Sequence, residues 1–382
     1  MEELTRNESD GKALNSFKSG VRSSATARLD NWLRSLVERQ GSDLLLIPGA
    51  PASIRLEGQV QSIESNPLDG SEIEAAVLPA LLPHAVQLYQ QERIVDSSYQ
   101  VPGLGRFRIN LHHERGRAAV AIRALPSRIP ALADLNLPAS VESLSHLPRG
   151  LVLIAGPAGS GKSTTLAALV HEINRREARH ILTIEDPIEY EHNHIRSVVE
   201  QVEIGIDAPD FPAALRAALR QAPDVMVIGE MRDPETMHIA LAAAETGHLV
   251  LSTLHTTDVA SSISRISDSF PAERQNTIRQ ELAMALSAVL TQMLLPSKRG
   301  GLVPAAELLL IGYGARQHIR RNALQHLHQE IAITKKTGSF SLEQSLAHLV
   351  HEQHISREEA MLRALHPDDL EMMLGTRLVV QR

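Results

Sequence analysis

Apolar positions along the chain follow two regimes. Near the start, Leu29, Trp32, Leu33, Leu36 and Val37 recur at i, i+3, i+4, i+7 and i+8, one face of an amphipathic helix that stops before Gly41. Short alternating or apolar runs follow: LLLI at Leu44–Ile47, SIRLEGQV at Ser53–Val60 and RFRINLHH at Arg106–His113. Around them lie the turn signals PGAP and VPGLG and a helical stretch from Ser71 to about Gln91. This pattern predicts a small α+β domain over 25–123. The proline-punctuated segment Ala124–Pro138 reads as a linker over 124–138.

Beyond it, apolar runs of strand length alternate with helical segments: LVLIA before Gly156, ILTI before Glu185, VMVI before Gly229 and HLVLSTL before His255. Such runs predict a buried parallel sheet with helices on both faces, an α/β domain over 139–275. After about Gln275 the pattern is helical, in TIRQELAMALSAVLTQML, LEQSLAHLVHEQ and REEAMLRAL. It predicts a helical C-terminal subdomain over 276–382.

Composition narrows the function. The net charge of −7 lacks the basic excess of a chain whose main ligand is a nucleic acid, so no nucleic-acid partner is expected. Cysteine is absent, which excludes disulfides and thiolate-ligated zinc and fits a cytoplasmic setting. The opening MEELTRNESDGKALNSFKSG has no signal-peptide core, and no run approaches the ~18 apolar residues that cross a bilayer, so any membrane association is peripheral. Residues 1–24 read as a mobile polar tail.

The chemistry concentrates in the second regime. GPAGSGKS, Gly156 to Ser163, has the spacing of a phosphate-binding P-loop and lies between a strand and a helix, the context that motif requires. Gly156, Pro157, Ala158, Gly159, Ser160 and Gly161 form a loop whose backbone N–H groups can cradle phosphate oxygens at a helix N-terminus. Lys162 reaches the β- and γ-phosphates, Ser163 supplies a magnesium ligand, and Thr164 continues the nucleotide-binding run, so the expected ligands are ATP and Mg2+.

VMVIGE ends a strand in Glu230, a carboxylate that can hold magnesium or polarise the attacking water. ILTIEDPIEY places Glu185 and Asp186 at another strand end, either as ordinary loop carboxylates or as a general base for water. His248 and His255 flank HLVLSTL, where one could sense the γ-phosphate or both could be structural. The C-terminal histidines His326, His328, His348, His351 and His354 have no third ligand at zinc-like spacing and read as solvated or capping residues.

Together these motifs resemble the secretion and pilus ATPase superfamily, and within it the PilT-like type IV pilus retraction ATPases, over roughly Leu29 to Leu374. The resemblance runs from GSDLLLIPGAPASIRLEGQV and VPGLGRFRIN through GPAGSGKSTT. ILTIEDPIEYEH looks like the family's Asp box, ALRQAPDVMVIGEMRD like its Walker B and AAETGHLVLSTLHTTD like its His box. What the resemblance implies is a homo-hexameric ring of PAS-like N-terminal and RecA-like domains, recruited to the inner face of the cytoplasmic membrane by a pilus platform protein. It makes Glu230 the Walker B acid and magnesium ligand, Glu185 the water-activating carboxylate, and His248 and His255 the His-box residues. Arg106, Arg108 and Arg123 match N-domain arginines that approach the nucleotide.

Relatives that extend pili or drive type II secretion carry a tetracysteine zinc module after the His box. None follows His255 here, which favours the retraction-like branch. Several positions depart from the family pattern: Val202 stands for an arginine, Leu45 for a histidine and Ala208 for a threonine. The C-terminal AIRNLIRE motif appears as GARQHIRR, Gly314 to Arg321, with His318 for leucine and Arg321 for glutamate. Two alternatives therefore stand beside a retraction motor: a PilU-like accessory subunit working with a paralogous pilus ATPase, and an extension or secretion ATPase without the zinc module.

Overall fold

The computed structural model describes residues 26–375, so the expected tail at 1–24 lies outside the described residues. The chain divides into two units between Ser127 and Arg128. No helix among the described residues is long and apolar enough to cross a membrane.

In the first unit, α1 (Ala27–Glu38) buries Leu29, Trp32, Leu33 and Leu36, as its apolar spacing requires, while Val37 stays exposed at the edge of that stripe. Six strands, β1 (Asp43–Leu46), β2 (Ser53–Leu56), β3 (Gln59–Ser62), β4 (Ile94–Val101), β5 (Gly105–Glu114) and β6 (Arg117–Ala124), form one antiparallel sheet of order β3-β2-β1-β6-β5-β4. The helical stretch expected near Ser71–Gln91 is two helices, α2 (Gly70–Val77) and α3 (Pro83–Glu92). Pro79 and Pro83 divide it, since proline donates no N–H to a continuing helix. Asp69 and Glu72 close a capping box that fixes where α2 starts.

The second unit is built on seven strands: β7 (Gly150–Ala155), β8 (His180–Glu185), β9 (Val198–Glu203), β10 (Val225–Ile228), β11 (Leu249–Leu254), β12 (Leu286–Pro296) and β13 (Leu302–Leu310). Their order is β13-β12-β7-β11-β10-β8-β9, parallel throughout except for the β12–β13 hairpin. All six residues of β7 are buried, because helices cover both faces. Leu151 and Leu153 join a core with α5 (Phe211–Ala218), α6 (Pro234–Glu245), α7 (Val259–Asp268) and α8 (Ala272–Ala285). Val152 and Ile154 point the other way, into a core with α4 (Lys162–Arg176). Leu132 and Leu137, in the expected linker, pack against that second core.

The C-terminal part departs from the helical pattern of the sequence. Where TIRQELAMALSAVLTQML reads as one helix, α8 ends at Ala285 and the chain continues as β12, paired with β7. An apolar run buried on both faces has no periodicity to separate strand from helix, and the hairpin partner that decides it comes later in the chain. The sheet therefore extends to Leu310, well past 275. Helices follow: α9 (Tyr313–Arg320), α10 (Leu327–Ile333), α11 (Leu342–His351), α12 (Arg357–Arg363) and α13 (Pro367–Gly375).

The single tryptophan, Trp32, lies in the first unit's core with its indole N–H donating to Glu64 Oε1 at 2.7 Å, so its fluorescence reports that unit. Truncating the fully buried Phe107 to alanine leaves a cavity in the same core. The denaturant transition followed through Trp32 is expected to lose about 3–5 kcal/mol in Phe107→Ala.

Candidate active site

In parallel sheets ligands gather beyond the carboxyl ends of the strands, and the candidate residues are supplied there by β7, β8, β10 and β11. The chain leaves β7 at Gly156 with φ +154°. A Cβ at this position would stand 2.3 Å from the Gln292 carbonyl oxygen on β12 and 2.4 Å from Ser160 Oγ, so only glycine fits. The loop is tied down by Gly156 N–H donating to Leu254 O at 3.2 Å and by Gln292 Nε2 donating to Ser160 O at 2.7 Å. Pro157, Ala158 and Gly159 are exposed at its rim.

The loop opens into α4, whose first residue is Lys162 and whose N-terminus has no side-chain cap. Its first-turn N–H groups, in Lys162, Ser163 and Thr164, are thus left to an anion. Lys162 is buried, and its Nζ donates to the carbonyls of Gly156 and Pro157 at 2.9 Å each. Burial pulls the ammonium below the ordinary lysine value, opposed by the charges of Glu230 and Glu189. A glycine-only turn, uncapped helix amides and a cation flanked by carboxylates fit a polyphosphate with a divalent ion. Ser163 and Glu230 are the side chains that would hold that ion.

Glu230 follows β10. Thr253 Oγ1 donates to the Gly229 carbonyl at 2.6 Å, and Gly229 N–H donates to Ile184 O at 2.8 Å, so β11 and β8 fix the backbone beneath it. Its Oε1 lies 3.5 Å from His255 Nε2, and its Oε2 accepts from Arg232 Nε at 2.8 Å. Glu185 closes β8 under different conditions. Burial pushes its carboxyl up to about 7, although Thr183 Oγ1 (2.7 Å) and Gln201 Nε2 (3.3 Å) both donate to Oε1. A carboxylate poised near neutrality can take up a proton.

The segment after Glu185 folds back on the P-loop helix. Tyr190 OH lies 2.9 Å from Thr164 Oγ1, Ile188 N–H donates to the buried Glu203 at 3.0 Å, and Glu189 is one of the two carboxylates acting on Lys162. Gln201 on β9 holds this turn as well, donating to Tyr190 O at 2.9 Å and accepting from His192 N–H at 2.7 Å.

Residues 114–363 match the family model described as type II/IV secretion system protein. The chain is 40% identical over 332 residues to the type IV pilus retractation ATPase PilT of Pseudomonas aeruginosa, covering 87% of this chain and 96% of that one. The chain belongs to the type II/IV secretion system protein family. It is also 36% identical over 346 residues to the type IV pilus ATPase PilU of the same organism, covering 90% of this chain and 91% of the relative. A crystal structure of the pilus retraction motor PilT with bound ADP superposes with a TM-score of 0.81 at 40% identity, over 89% of this chain and 98% of that one. The chain is thus a mixed α/β member of this family with the architecture of that motor.

Within this family member the structure gathers the P-loop, Glu230 and His255, with Glu185 two strands beyond β11. His248 lies at the opposite end of β11 from His255. It precedes β11, with its carbonyl accepting from Gly150 N–H at 2.9 Å and its Nδ1 3.0 Å from Ala243 O. The whole strand separates it from His255, about 20 Å at the rise of an extended chain, so within this chain it serves the amino edge of the sheet. Arg106, Arg108 and Arg123 lie in the first unit. Arg106 donates to Ser98 Oγ at 3.1 Å, Arg108 to Asp96 at 3.4 Å and Arg123 to Asp43 at 2.9 Å.

Sequence reasoning passed over Arg232, Glu189, Tyr190, Gln201 and Gln292. Glu189 and Tyr190 sit in the quoted ILTIEDPIEY run and Arg232 two residues after Glu230, so proximity to named acids was the available signal. Gln292 had none, because its segment reads as helix.

The raised Glu185 carboxyl has a measurable consequence. Between the unfolded value of 4.5 and about 7 the folded chain binds more protons than the unfolded one, so this group's contribution to stability declines as pH rises through that window. Relative to wild type, Glu185→Gln is expected to gain roughly 2–3 kcal/mol of stability between pH 5 and pH 8, read from urea midpoints. A pH-independent difference would show that the carboxyl ionises normally.

Proposed function

We propose that this protein is a motor ATPase that hydrolyses Mg·ATP at Gly156 to Ser163 and powers type IV pilus retraction. The observation that carries the reading is the joining of a glycine-only P-loop and buried Lys162 with Glu230 at the neighbouring strand ends. The ADP-bound motor with the same architecture supports it.

In this reading the loop and first-turn amides of α4 bind the β- and γ-phosphates, and Lys162 exchanges its carbonyl partners for phosphate oxygens. Ser163 and Glu230 would hold magnesium, which when bound would neutralise developing charge on the phosphates. Glu185 accepts the proton of the attacking water, which its near-neutral carboxyl suits. His255 keeps Glu230 oriented. The two units act as PAS-like and RecA-like domains of a homo-hexamer, with Arg106, Arg108 and Arg123 delivered to the nucleotide of a neighbouring subunit. The ring works in the cytoplasm against a platform protein at the inner membrane.

One observation favours a second reading, an accessory subunit that needs a paralogous ATPase: the match to PilU spans 90% of the chain. In the altered C-terminal motif, Arg316 donates to Met284 O at 2.8 Å, and His318 Nε2 lies 3.5 Å from Glu330 Oε1, so both side chains brace α9.

Steady-state phosphate release by the purified chain separates the readings. Magnesium-dependent turnover by the chain alone, reduced at least about 100-fold in Lys162→Ala and in Glu230→Gln, is expected for the motor. Nucleotide binding without turnover would replace it by the accessory subunit.

A further inference from the structure

Away from the candidate active site, three potential metal ligands from separate elements converge. His328 lies on α10, His366 immediately precedes α13, and Asp369 is in the first turn of α13. Their ligand atoms all lie within 4.8 Å of one another. His328 Nε2 is 3.7 Å from Asp369 Oδ2, and the two imidazole rings lie with centroids 4.0 Å apart, tilted by 39°. The whole of α11 and α12 lies between His328 and His366 in the chain. Spacing along the sequence could not reveal the group, and the reading that the C-terminal histidines lack a third ligand is corrected for His328.

We propose that these residues form a zinc site, in which one Zn²⁺ bound by His328, His366 and Asp369 clips α10 to α13. Two imidazole nitrogens and a carboxylate oxygen suit Zn²⁺, and three protein ligands leave a fourth position for water. Zn–N bonds of 2.0–2.1 Å in a tetrahedron put ligand atoms about 3.4 Å apart. The His328–Asp369 pair at 3.7 Å therefore needs to close by only a few tenths of an ångström.

The backbone beneath the cluster is fixed in advance. The N–H groups of Leu365 and His366 both donate to Glu343 Oε1, at 3.1 and 3.0 Å, from a fully buried carboxyl on α11. Leu370 is fully buried next to Asp369, and Leu327 is buried next to His328. The three ligands themselves remain partly or fully exposed, so an ion can enter. Holding ligands on an already ordered frame is what separates a metal site from a chance cluster.

The test is isothermal titration of Zn²⁺ into the full chain, stripped with a chelator and free of nucleotide, followed by thermal melts. Wild type is expected to bind one Zn²⁺ per chain in a step that His328→Ala, His366→Ala and Asp369→Asn each weaken at least about tenfold. His348→Ala/His354→Ala, removing histidines elsewhere in the C-terminal part, is expected to leave that step intact. Zinc should raise the melting temperature of wild type but not of His366→Ala, whose exposed side chain can be removed without touching the core. The proposal is overturned if no such step occurs, or if the three ligand variants bind zinc as wild type does.

Discussion

Everything at the candidate site depends on one steric constraint, the close approach of the chain leaving β7 to β12. Gly156 turns against the Gln292 carbonyl with no room for a side chain, and Gln292 in turn donates to the loop at Ser160. The turn directs the loop amides and the N-terminus of α4 at one point in space. The helix dipole, the orphan N–H groups and the buried ammonium of Lys162 then all favour an anion there. Burial weakens the hold of Lys162 on its proton, while Glu230 and Glu189 strengthen it.

Strand order supplies the rest. Because β7, β11, β10 and β8 are parallel neighbours, their carboxyl ends present the P-loop, His255, Glu230 and Glu185 along one edge. Ser252 and Thr253 donate to the carbonyls of Ile228 and Gly229 at 2.9 and 2.6 Å, so the strand that ends in His255 also steadies the one that ends in Glu230. The two acids differ through their surroundings. Glu230 faces His255 and Arg232, whereas Glu185 is desolvated and held by neutral donors, so the two carboxyls have different electrostatic surroundings.

Much of this was legible because it is local. The P-loop is a contiguous motif, the strands around it are apolar runs of recognisable length, and α1 has a clear amphipathic period. What escaped is non-local. β12 and β13 form a hairpin buried on both faces, so their residues carry no alternation and Gln292 could not be placed beside the P-loop. His248 and His255 look equivalent when both flank one strand, yet the fold places them at opposite ends of β11. His328, His366 and Asp369 meet only after three helices have packed. Arg106, Arg108 and Arg123 are held by Ser98, Asp96 and Asp43 across the first unit's sheet, contacts that no motif encodes.

The central claim, that a nucleotide is held by this turn, is tested most directly by titrating ADP into wild type and Gly156→Ala, with circular dichroism and thermal melts of both chains confirming that the second unit stays folded. The account predicts one ADP per wild-type chain and binding weakened about 10- to 100-fold in Gly156→Ala, the effect of forcing a few kcal/mol of strain into the turn. Equal affinity in the two proteins would contradict it.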